Sequence, residues 1–283
     1  TLYSGTQNIG QGLETVFTQL LSEKLQIPME SIKIVFGDTK LVKGLGSFGS
    51  RSLFVGGTAL LEGTKEFLQK GRELAAEELE AAEDDILYHN GRFKVTGTSI
   101  GVGLFDLASK QPQKCISTET EKTVEGRSWP NGCHIAEVEI DPETGRVFLA
   151  SYGNVDDTGN MINPMIVEGQ IKGGIAQGAG QVLLEQSVYD SEGQLLTASF
   201  MDYAMPRADD LPLIQSSTFT DAPCLTNPLG AKGVGEIGTV GSIPTIANAI
   251  LDALWDQGVR KFNMPAYPQK IWELIQDAKN LRQ

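Results

Sequence analysis

The sequence predicts an α+β fold in two halves. Segments with the three- and four-residue spacing of amphipathic helices are mixed with short segments rich in β-branched and aromatic residues. With 283 residues, 40% of them hydrophobic, the chain can bury a substantial core in one large or two medium domains. A polar, irregular stretch at 106–132 separates the halves. We therefore expect a first subdomain at 1–110, a connecting segment at 111–132 and a second subdomain at 133–283.

The first half begins with a helix. Apolar residues recur at three- and four-residue steps from Leu13 to Leu25, which predicts a helix with one buried face, and Pro28 follows its end. The further elements predicted before the polar stretch are a strand at Ile32–Phe36, a long helix from 52 to about 84, and strands at Ile86–Tyr88 and Arg92–Val95.

The second half begins with a predicted hairpin. Alternating residues from Ile135 to Ile140 and from Arg146 to Tyr152 flank the turn Asp141–Gly145, in which glycine takes the left-handed position. The helices predicted after it run from Asn163 and Pro164 to about Leu184, from a Ser242 cap through Leu254 with Pro244 in the first turn, and from Pro268 toward the C-terminus.

Composition excludes several classes of protein. The 36 acidic and 23 basic residues give a net charge of -13, which repels nucleic-acid backbones and anionic lipids. No run approaches the roughly 18 apolar residues that span a bilayer, and the first residues lack the pattern of a secretion signal. These features predict a soluble, cytoplasmic protein with no nucleic-acid partner and no membrane span.

Cysteine and histidine offer no predicted metal site. Cys115, Cys133 and Cys224 lie far apart and form no C-x-x-C pair, so we expect neither an iron–sulfur cluster nor a zinc site in this chain. His89 and His134 are interpreted as surface and strand residues rather than ligands. The chain begins at Thr1 and enters a glycine-rich motif almost at once, so we expect a piece of a longer protein.

Glycine is concentrated in four segments, Gly5–Gly12, Gly44–Ser52, Gly169–Gly178 and Gly230–Gly238. Three of them precede or open a helical pattern, where exposed backbone N–H groups and the helix dipole favour an anion. For any single segment, a tight turn or close helix packing is the better interpretation. Together, and with interspersed Gln, Ser and Arg side chains, the four favour a phosphate-bearing cofactor.

Two glycine patterns imitate a dinucleotide fingerprint. Gly44, Gly46 and Gly49, and later Gly233, Gly235 and Gly238, match G-x-G-x-x-G. The first set does not directly follow a strand, and helical sequence occupies the place of the required second strand. No Gly-Lys-Ser/Thr follows any glycine run, so a Walker A loop is excluded as well.

These four segments, in this order, resemble the C-terminal half of the molybdopterin-binding large subunit of the xanthine oxidase / aldehyde oxidase / carbon monoxide dehydrogenase family. The similarity is greatest to the bacterial carbon monoxide dehydrogenase-like branch and covers nearly the whole chain. Further matching motifs lie at Gly37–Thr39, Glu137–Gly145, Asn163–Met165, Glu168–Gln170 and Asp202–Arg207.

The resemblance implies a molybdenum cofactor-binding domain built of two mixed sheet-and-helix subdomains. It implies that Glu236 is the active-site carboxylate, aided by apolar neighbours such as Val234 and Ile237. The residues it places at molybdopterin cytosine dinucleotide are Gln11, Gly12, Ser50, Arg51, Ser52, Gln170, Lys232, Gly233, Val234 and Gly235. The pterin dithiolene holds the metal in this family, so no protein residue is predicted as a metal ligand.

The implied activity is oxidation of a small-molecule substrate, an aldehyde, an N-heterocycle or carbon monoxide, with water as the oxygen source. The cofactor is expected between this chain and the missing upstream half of the large subunit. Partner subunits are expected to carry 2Fe-2S clusters and FAD, so this chain alone is expected to be inactive. The alternative is a noncatalytic fragment or assembly module that keeps the cofactor-binding fold.

Overall fold

The computed structural model of the chain describes residues 1–281. Its described residues divide into two compact units, each with its own strands and helices. The first comprises Thr1–Ser128 and Cys224–Ala231, and the second comprises Trp129–Pro223 and the described residues from Lys232 onward. The α+β prediction is therefore confirmed.

The first unit contains eight α-helices and β-strands among its described residues. They are β1 (Leu2–Ser4), α1 (Leu13–Leu25), β2 (Ile34–Phe36), α2 (Gly57–Glu78), β3 (Ile86–His89), β4 (Arg92–Val95), β5 (Gly101–Gly103) and α3 (Leu104–Lys110). Strands β1 and β2 pair in parallel, whereas β3, β4 and β5 form an antiparallel sheet. A π-helical turn at Ser52–Gly56 leads directly into α2.

Packing explains the glycine at position 71 within α2. Phe93 of β4 is fully buried in a core with Ala75, Ile86 and Leu107. A Cβ on Gly71 would lie 2.5 Å from the Phe93 ring, so a larger residue there would displace the ring or the helix.

The second unit contains β6 (Asn131–Ile140), β7 (Val147–Asp157), α4 (Pro164–Leu183), β8 (Ile214–Phe219), α5 (Ile237–Trp255) and α6 (Pro268–Asn280). β7 lies in the centre of the sheet, antiparallel to β6 and parallel to β8. The core is formed by apolar side chains of the three helices packed against the sheet. Its fully buried members include Ile171, Ile175, Ile246, Ile250, Ile271 and Ile275.

Local signals in the sequence predict three boundaries correctly. The Asn163 Oδ1 accepts a hydrogen bond from the Ile166 amide at 3.1 Å, and Pro164 is the first residue of α4. Gly145 closes the β6–β7 turn in the left-handed region, with φ of 73°. The terminal helix begins at Pro268.

Two predictions are wrong. Helix α5 begins at Ile237, not after Ser242, and Ser242 lies fully buried inside it. Glycines 238 and 241 in its first turns are sites of close packing rather than loop residues. The stretch predicted to be irregular from 106 contains the end of α3, because Leu104 and Leu107 bury one face of that short helix.

Strands β1, β5 and β8 are not predicted from sequence, since β1 and β5 are three residues long and β8 is mostly polar. Among the described helices, α5 is long and apolar enough to cross a membrane by length and composition alone. Core helices pass the same test, and α5 packs against α4 and β6 in the second unit.

Candidate functional site

The Gly5–Gly12 loop of the first unit is braced by Gln11. The Gln11 Oε1 accepts a hydrogen bond from the Ile9 amide at 2.7 Å, and its Nε2 donates to the Gln7 carbonyl at 2.9 Å. Gly10 and Gly12 have φ of 94° and 83°, a region that disfavours side chains. The loop therefore has a defined shape immediately before α1.

The Gly44–Ser52 loop packs directly on this first loop. The Ser47 hydroxyl donates to the Gln7 carbonyl at 2.5 Å, and the Ser52 hydroxyl donates to Ser47 at 2.7 Å. A Cβ on Gly44 would lie 2.0 Å from the Gly5 carbonyl oxygen, so only glycine permits this approach. The structure thus brings the predicted Gln11 and Ser50–Ser52 segments together on one surface.

Arg51 lies on the exposed side of that surface. Its guanidinium stands over the Phe48 ring at 5.0 Å, and its carbonyl accepts a hydrogen bond from Val55 in the π-helical turn. Ser50 before it adopts a left-handed conformation with φ of 56°. A planar guanidinium in such a position can bind a phosphate through two hydrogen bonds.

The two loops of the first unit have the polarity and space to contact a polar ligand. Among the described residues, no partner lies within hydrogen-bond distance of the buried Asn8 Oδ1. No heavy atom of the described residues lies within 4 Å of the place a Cβ on Gly10 would occupy. Amide, hydroxyl and guanidinium groups of this kind suit a pterin edge and a phosphate.

In the second unit, four glycines of α4 form two pairs. Gly174 and Gly178 face α5, where added Cβ atoms would meet Gly238 at 3.0 Å and the Ser242 hydroxyl at 2.0 Å. Gly169 and Gly173, one turn apart, have no described heavy atom within 4 Å of a Cβ position. Close helix packing therefore accounts for the first pair.

Glu236 is the N-cap residue of α5, and it is exposed. Gly238, two residues later, packs so closely on α4 that its Cβ would lie 2.2 Å from the Ile171 carbonyl oxygen. Ile171 directly follows the half-buried Gln170. The glycine contact therefore brings the Gln170 turn of α4 close to the beginning of α5.

The predicted segment Lys232–Gly235 precedes Glu236. Gly233 is buried, Val234 packs against the core of the second unit, and Gly235 is exposed. The Lys232 Nζ forms an ion pair with the Asp157 carboxylate, with side chains only 10% and 13% exposed. The Lys232 amide also donates to the Thr158 carbonyl at 3.0 Å.

A buried polar network that sequence reasoning missed lies beside this segment. The His134 Nδ1 is 2.7 Å from the Tyr152 hydroxyl, and its Nε2 is 3.1 Å from Asp156 Oδ1. The Asn154 side-chain Nδ2 donates to Asp156 Oδ2 at 2.6 Å. His134 lies in a strand, as predicted, and its side chain is only 5% exposed. Polar residues at alternating positions of β7 were the available signal.

The protonation of Tyr152 and the search for metal ligands limit the chemistry that the side chains themselves can supply. Burial raises the pKa of Tyr152, and Asp156 raises it further, so this phenol stays protonated. Within residues 1–281, no three His, Cys, Asp or Glu side chains form a group that could hold a metal ion.

Comparison with known proteins identifies related sequences over nearly the whole chain. A family model described as a molybdopterin cofactor-binding domain matches residues 1–212. Subunit gamma of the 6-hydroxypseudooxynicotine dehydrogenase complex of Paenarthrobacter nicotinovorans is 36% identical over 98% of this chain and 36% of its own length. The carbon monoxide dehydrogenase large chain of Hydrogenophaga pseudoflava is 36% identical over 96% of this chain and 35% of its own.

Solved structures show the same fold. A Cu,Mo-CO dehydrogenase in its carbon monoxide reduced state superimposes with a TM-score of 0.83 and 31% identity, covering 98% of this chain and 36% of that one. Quinoline 2-oxidoreductase from Pseudomonas putida 86 superimposes with a TM-score of 0.82 and 34% identity, covering 97% and 36%. The chain thus spans about a third of the length of the relatives it matches.

Proposed function

This chain belongs to the molybdopterin cofactor-binding domain family, and from that premise we propose that it supplies part of the active site of a molybdenum-dependent oxidoreductase. The proposed substrate is an aldehyde, an N-heterocycle or carbon monoxide, oxidised with water as the oxygen source. This range is supported by the names of the similar proteins, which include enzymes named for nicotine derivatives, quinoline, carbon monoxide and aldehydes.

The contact between Gly174 of α4 and Gly238 of α5 is the observation that carries this proposal. It brings the exposed Glu236 close to the turn that bears Gln170, without any large side chain between the helix backbones. A carboxylate and an amide at one helix junction can hold a proton and orient a polar ligand.

Within the first unit, we assign Gln11, Gly12 and the Ser50–Ser52 segment to cofactor binding. The loop surface supplies amides, hydroxyls and the Arg51 guanidinium, which match the pterin and phosphate groups of the cytosine dinucleotide form. Within the second unit, we assign the same task to Gln170 and the Lys232–Gly235 segment. When bound, a molybdenum–molybdopterin centre supplies the two-electron oxidation chemistry.

Glu236 is the proposed general base, accepting a proton at a carboxylate oxygen from the water-derived nucleophile. The Asp157 carboxylate pairs with the Lys232 ammonium, so this nearby positive charge is compensated within its own ion pair. Val234 contributes apolar surface next to the base.

The remaining parts of the proposed enzyme lie outside this chain. We assign them to the upstream half of the large subunit and to iron–sulfur and flavin subunits that carry 2Fe-2S clusters and FAD. Support comes from the relatives, named as a complex subunit and as large chains, of which this chain spans 36% and 35%.

The test is Glu236→Gln in the complex purified after coexpression with the upstream half and partner subunits. We expect molybdenum and cytosine dinucleotide to remain at wild-type stoichiometry, while dye-linked substrate oxidation falls by about 10³-fold or more, as expected for loss of a general base. Glu273→Gln, an exposed glutamate on α6, is the matched control and should keep full activity. Full activity of the Glu236 variant would refute its role, and an intact complex without molybdenum would favour an assembly module.

A further inference from the structure

We propose that the consecutive β7 carboxylates Asp156 and Asp157 hold the two ends of the segment that bears Glu236 and are positioning residues for it. This inference rests on the proposed role of Glu236 as the base. The segment, which we call the Glu236 loop, runs from Lys232 to the first turn of α5 at Gly241.

Asp157 holds the start of the Glu236 loop. Its carboxylate forms the ion pair with Lys232 Nζ, and both side chains are largely shielded from water. The next residue, Thr158, accepts a hydrogen bond from the Lys232 amide at 3.0 Å. Because a side-chain and a backbone contact act on one residue, Lys232 is fixed both in position and in orientation.

Asp156 holds the far end of the loop through His134. The imidazole of His134 lies under α5 so closely that a Cβ on Gly241 would meet its ring atoms at 2.6 to 2.7 Å. Gly241 is four residues after Ile237, one helical turn from the beginning of α5. The orientation of the imidazole therefore limits the positions that the first turn of α5 can occupy.

Two side chains hold that imidazole by hydrogen bonds, and a third supports one of them. Asp156, with no exposed side-chain surface, contacts Nε2, and the Tyr152 hydroxyl contacts Nδ1. Tyr152 also forms a side-chain hydrogen bond with Thr245 of α5. A Cβ on Gly132, opposite Asp156 in the β6–β7 register, would lie 2.0 Å from Asp156 Oδ1, so a glycine provides the room for this carboxylate.

The strand explains why two adjacent residues reach both ends. Successive side chains of a β-strand point to opposite faces of the sheet. Asp156 points toward His134, on the side where α5 packs, whereas Asp157 points toward Lys232. Two neighbouring positions at the end of β7 thus anchor both ends of a loop that carries the proposed base between them.

The first test is Tyr152→Phe in the purified complex, which removes one hydroxyl and keeps the ring. We expect amide hydrogen exchange across 237–241 to become about fivefold faster, the value expected when one buried hydrogen bond is lost. We expect kcat to fall about tenfold with KM within about twofold of wild type, because the base shifts while ground-state binding is kept.

The matched control is Tyr88→Phe in the first unit. It also removes a partly buried tyrosine hydroxyl, one that donates to the Leu25 carbonyl at 2.5 Å. Exchange across 237–241 and kcat should both remain at wild-type values in this variant. Unchanged exchange and kcat in Tyr152→Phe would overturn the inference.

The second test addresses the other end with Asp157→Asn and the double variant Asp157→Asn/Lys232→Gln. If the ion pair served stability alone, removing both charges would restore kcat together with the unfolding midpoint. We expect the midpoint to recover in the double variant while kcat, expressed per bound molybdenum, stays about tenfold low, so that any loss of cofactor caused by replacing Lys232 is separated from the loss of positioning. Recovery of both would overturn the inference.

The two proposals fail in different ways. If Glu236→Gln keeps full activity, the base assignment is lost, whatever the exchange data show. If Glu236→Gln is inactive but the Tyr152 and Asp157 variants match wild type in exchange and kcat, the base assignment stands and the positioning inference is refuted.

Discussion

Gly238→Ala is the substitution that most directly tests how the α4–α5 junction creates the candidate site. The added Cβ would lie 2.2 Å from the Ile171 carbonyl oxygen and 2.6 Å from the Ile175 nitrogen, both of them backbone atoms that cannot rotate away. Ordinary contacts of a Cβ begin at 3.4 Å. The helices must therefore separate locally by about 1 Å, because the packed interior has no free volume to absorb the methyl group.

The expected loss of stability follows from overpacking. Forcing one methyl group into a close-packed interface costs about 1–3 kcal/mol, and the contact with backbone on both sides places this variant in the upper part of that range. Urea unfolding followed by tryptophan fluorescence measures it, since Trp129, Trp255 and Trp272 all belong to the second unit. Gly173→Ala is the stability control: its Cβ has open space, and alanine favours a helix over glycine by about 1 kcal/mol.

The same displacement moves Glu236 relative to the Gln170 turn. A shift of about 1 Å in a positioned catalytic group lowers kcat by up to about 100-fold, so we expect a 10- to 100-fold loss in the coexpressed complex. The reasoning is refuted if Gly238→Ala unfolds at the wild-type urea concentration, or if it is destabilised while kcat stays unchanged. An unchanged urea midpoint would refute the packing argument. A lower midpoint with unchanged kcat would show that the packing of Gly238 does not position Glu236.

Two further predictions concern stability, one in each unit. Asn163→Ala should lower the unfolding free energy of the second unit by about 1 kcal/mol, because the Ile166 amide loses its hydrogen-bond acceptor. Asn163→Ser, which keeps a side-chain oxygen at the N-cap, should keep most of the wild-type stability. The urea midpoints of the two variants distinguish these outcomes. Burial raises the pKa of Tyr88 to about 12, above the ordinary value of 10, so its neutral form is favoured in the folded state. The contribution of the neutral Tyr88 side chain to stability is complete below pH 10 and is lost as the pH rises toward 12. Unfolding followed by circular dichroism should therefore show that Tyr88→Phe loses less stability than wild type between pH 10 and pH 12. An equal loss in the two proteins would contradict the assignment.

Elements fixed by local signals were predictable from sequence. The apolar stripe of α1 gives its boundaries, Leu13 to Leu25, without error, because five buried side chains recur at helical spacing. Asn163-Pro164 and the Asp141–Gly145 turn were equally clear, since each satisfies its hydrogen bonds within a few residues. The family resemblance, which rests on motif order along the chain, is confirmed by the comparisons.

Features that depend on distant partners were not predictable. His134 contacts Tyr152 and Asp156, which lie 18 and 22 residues later, and its ring also packs against Gly241 of α5. No short stretch of sequence contains all four residues. The start of α5 was misplaced for the same reason: Gly238 and Gly241 look like helix breakers until α4 and His134 are seen against them. Residues 224–231 belong to the first unit although the chain on both sides belongs to the second.

The glycine-rich segments were visible in the sequence, but the role of each glycine depends on distant partners. From sequence, close packing and ligand approach were competing explanations, and the structure assigns Gly174, Gly178 and Gly238 to packing. That assignment supports the candidate site, because the approach of α4 to α5 is what brings Glu236 to the Gln170 turn. The substitution of a packing glycine should therefore impair activity as strongly as that of a glycine that contacts ligand. Only the packing variant should also lower the unfolding free energy, which makes the two kinds of glycine experimentally separable.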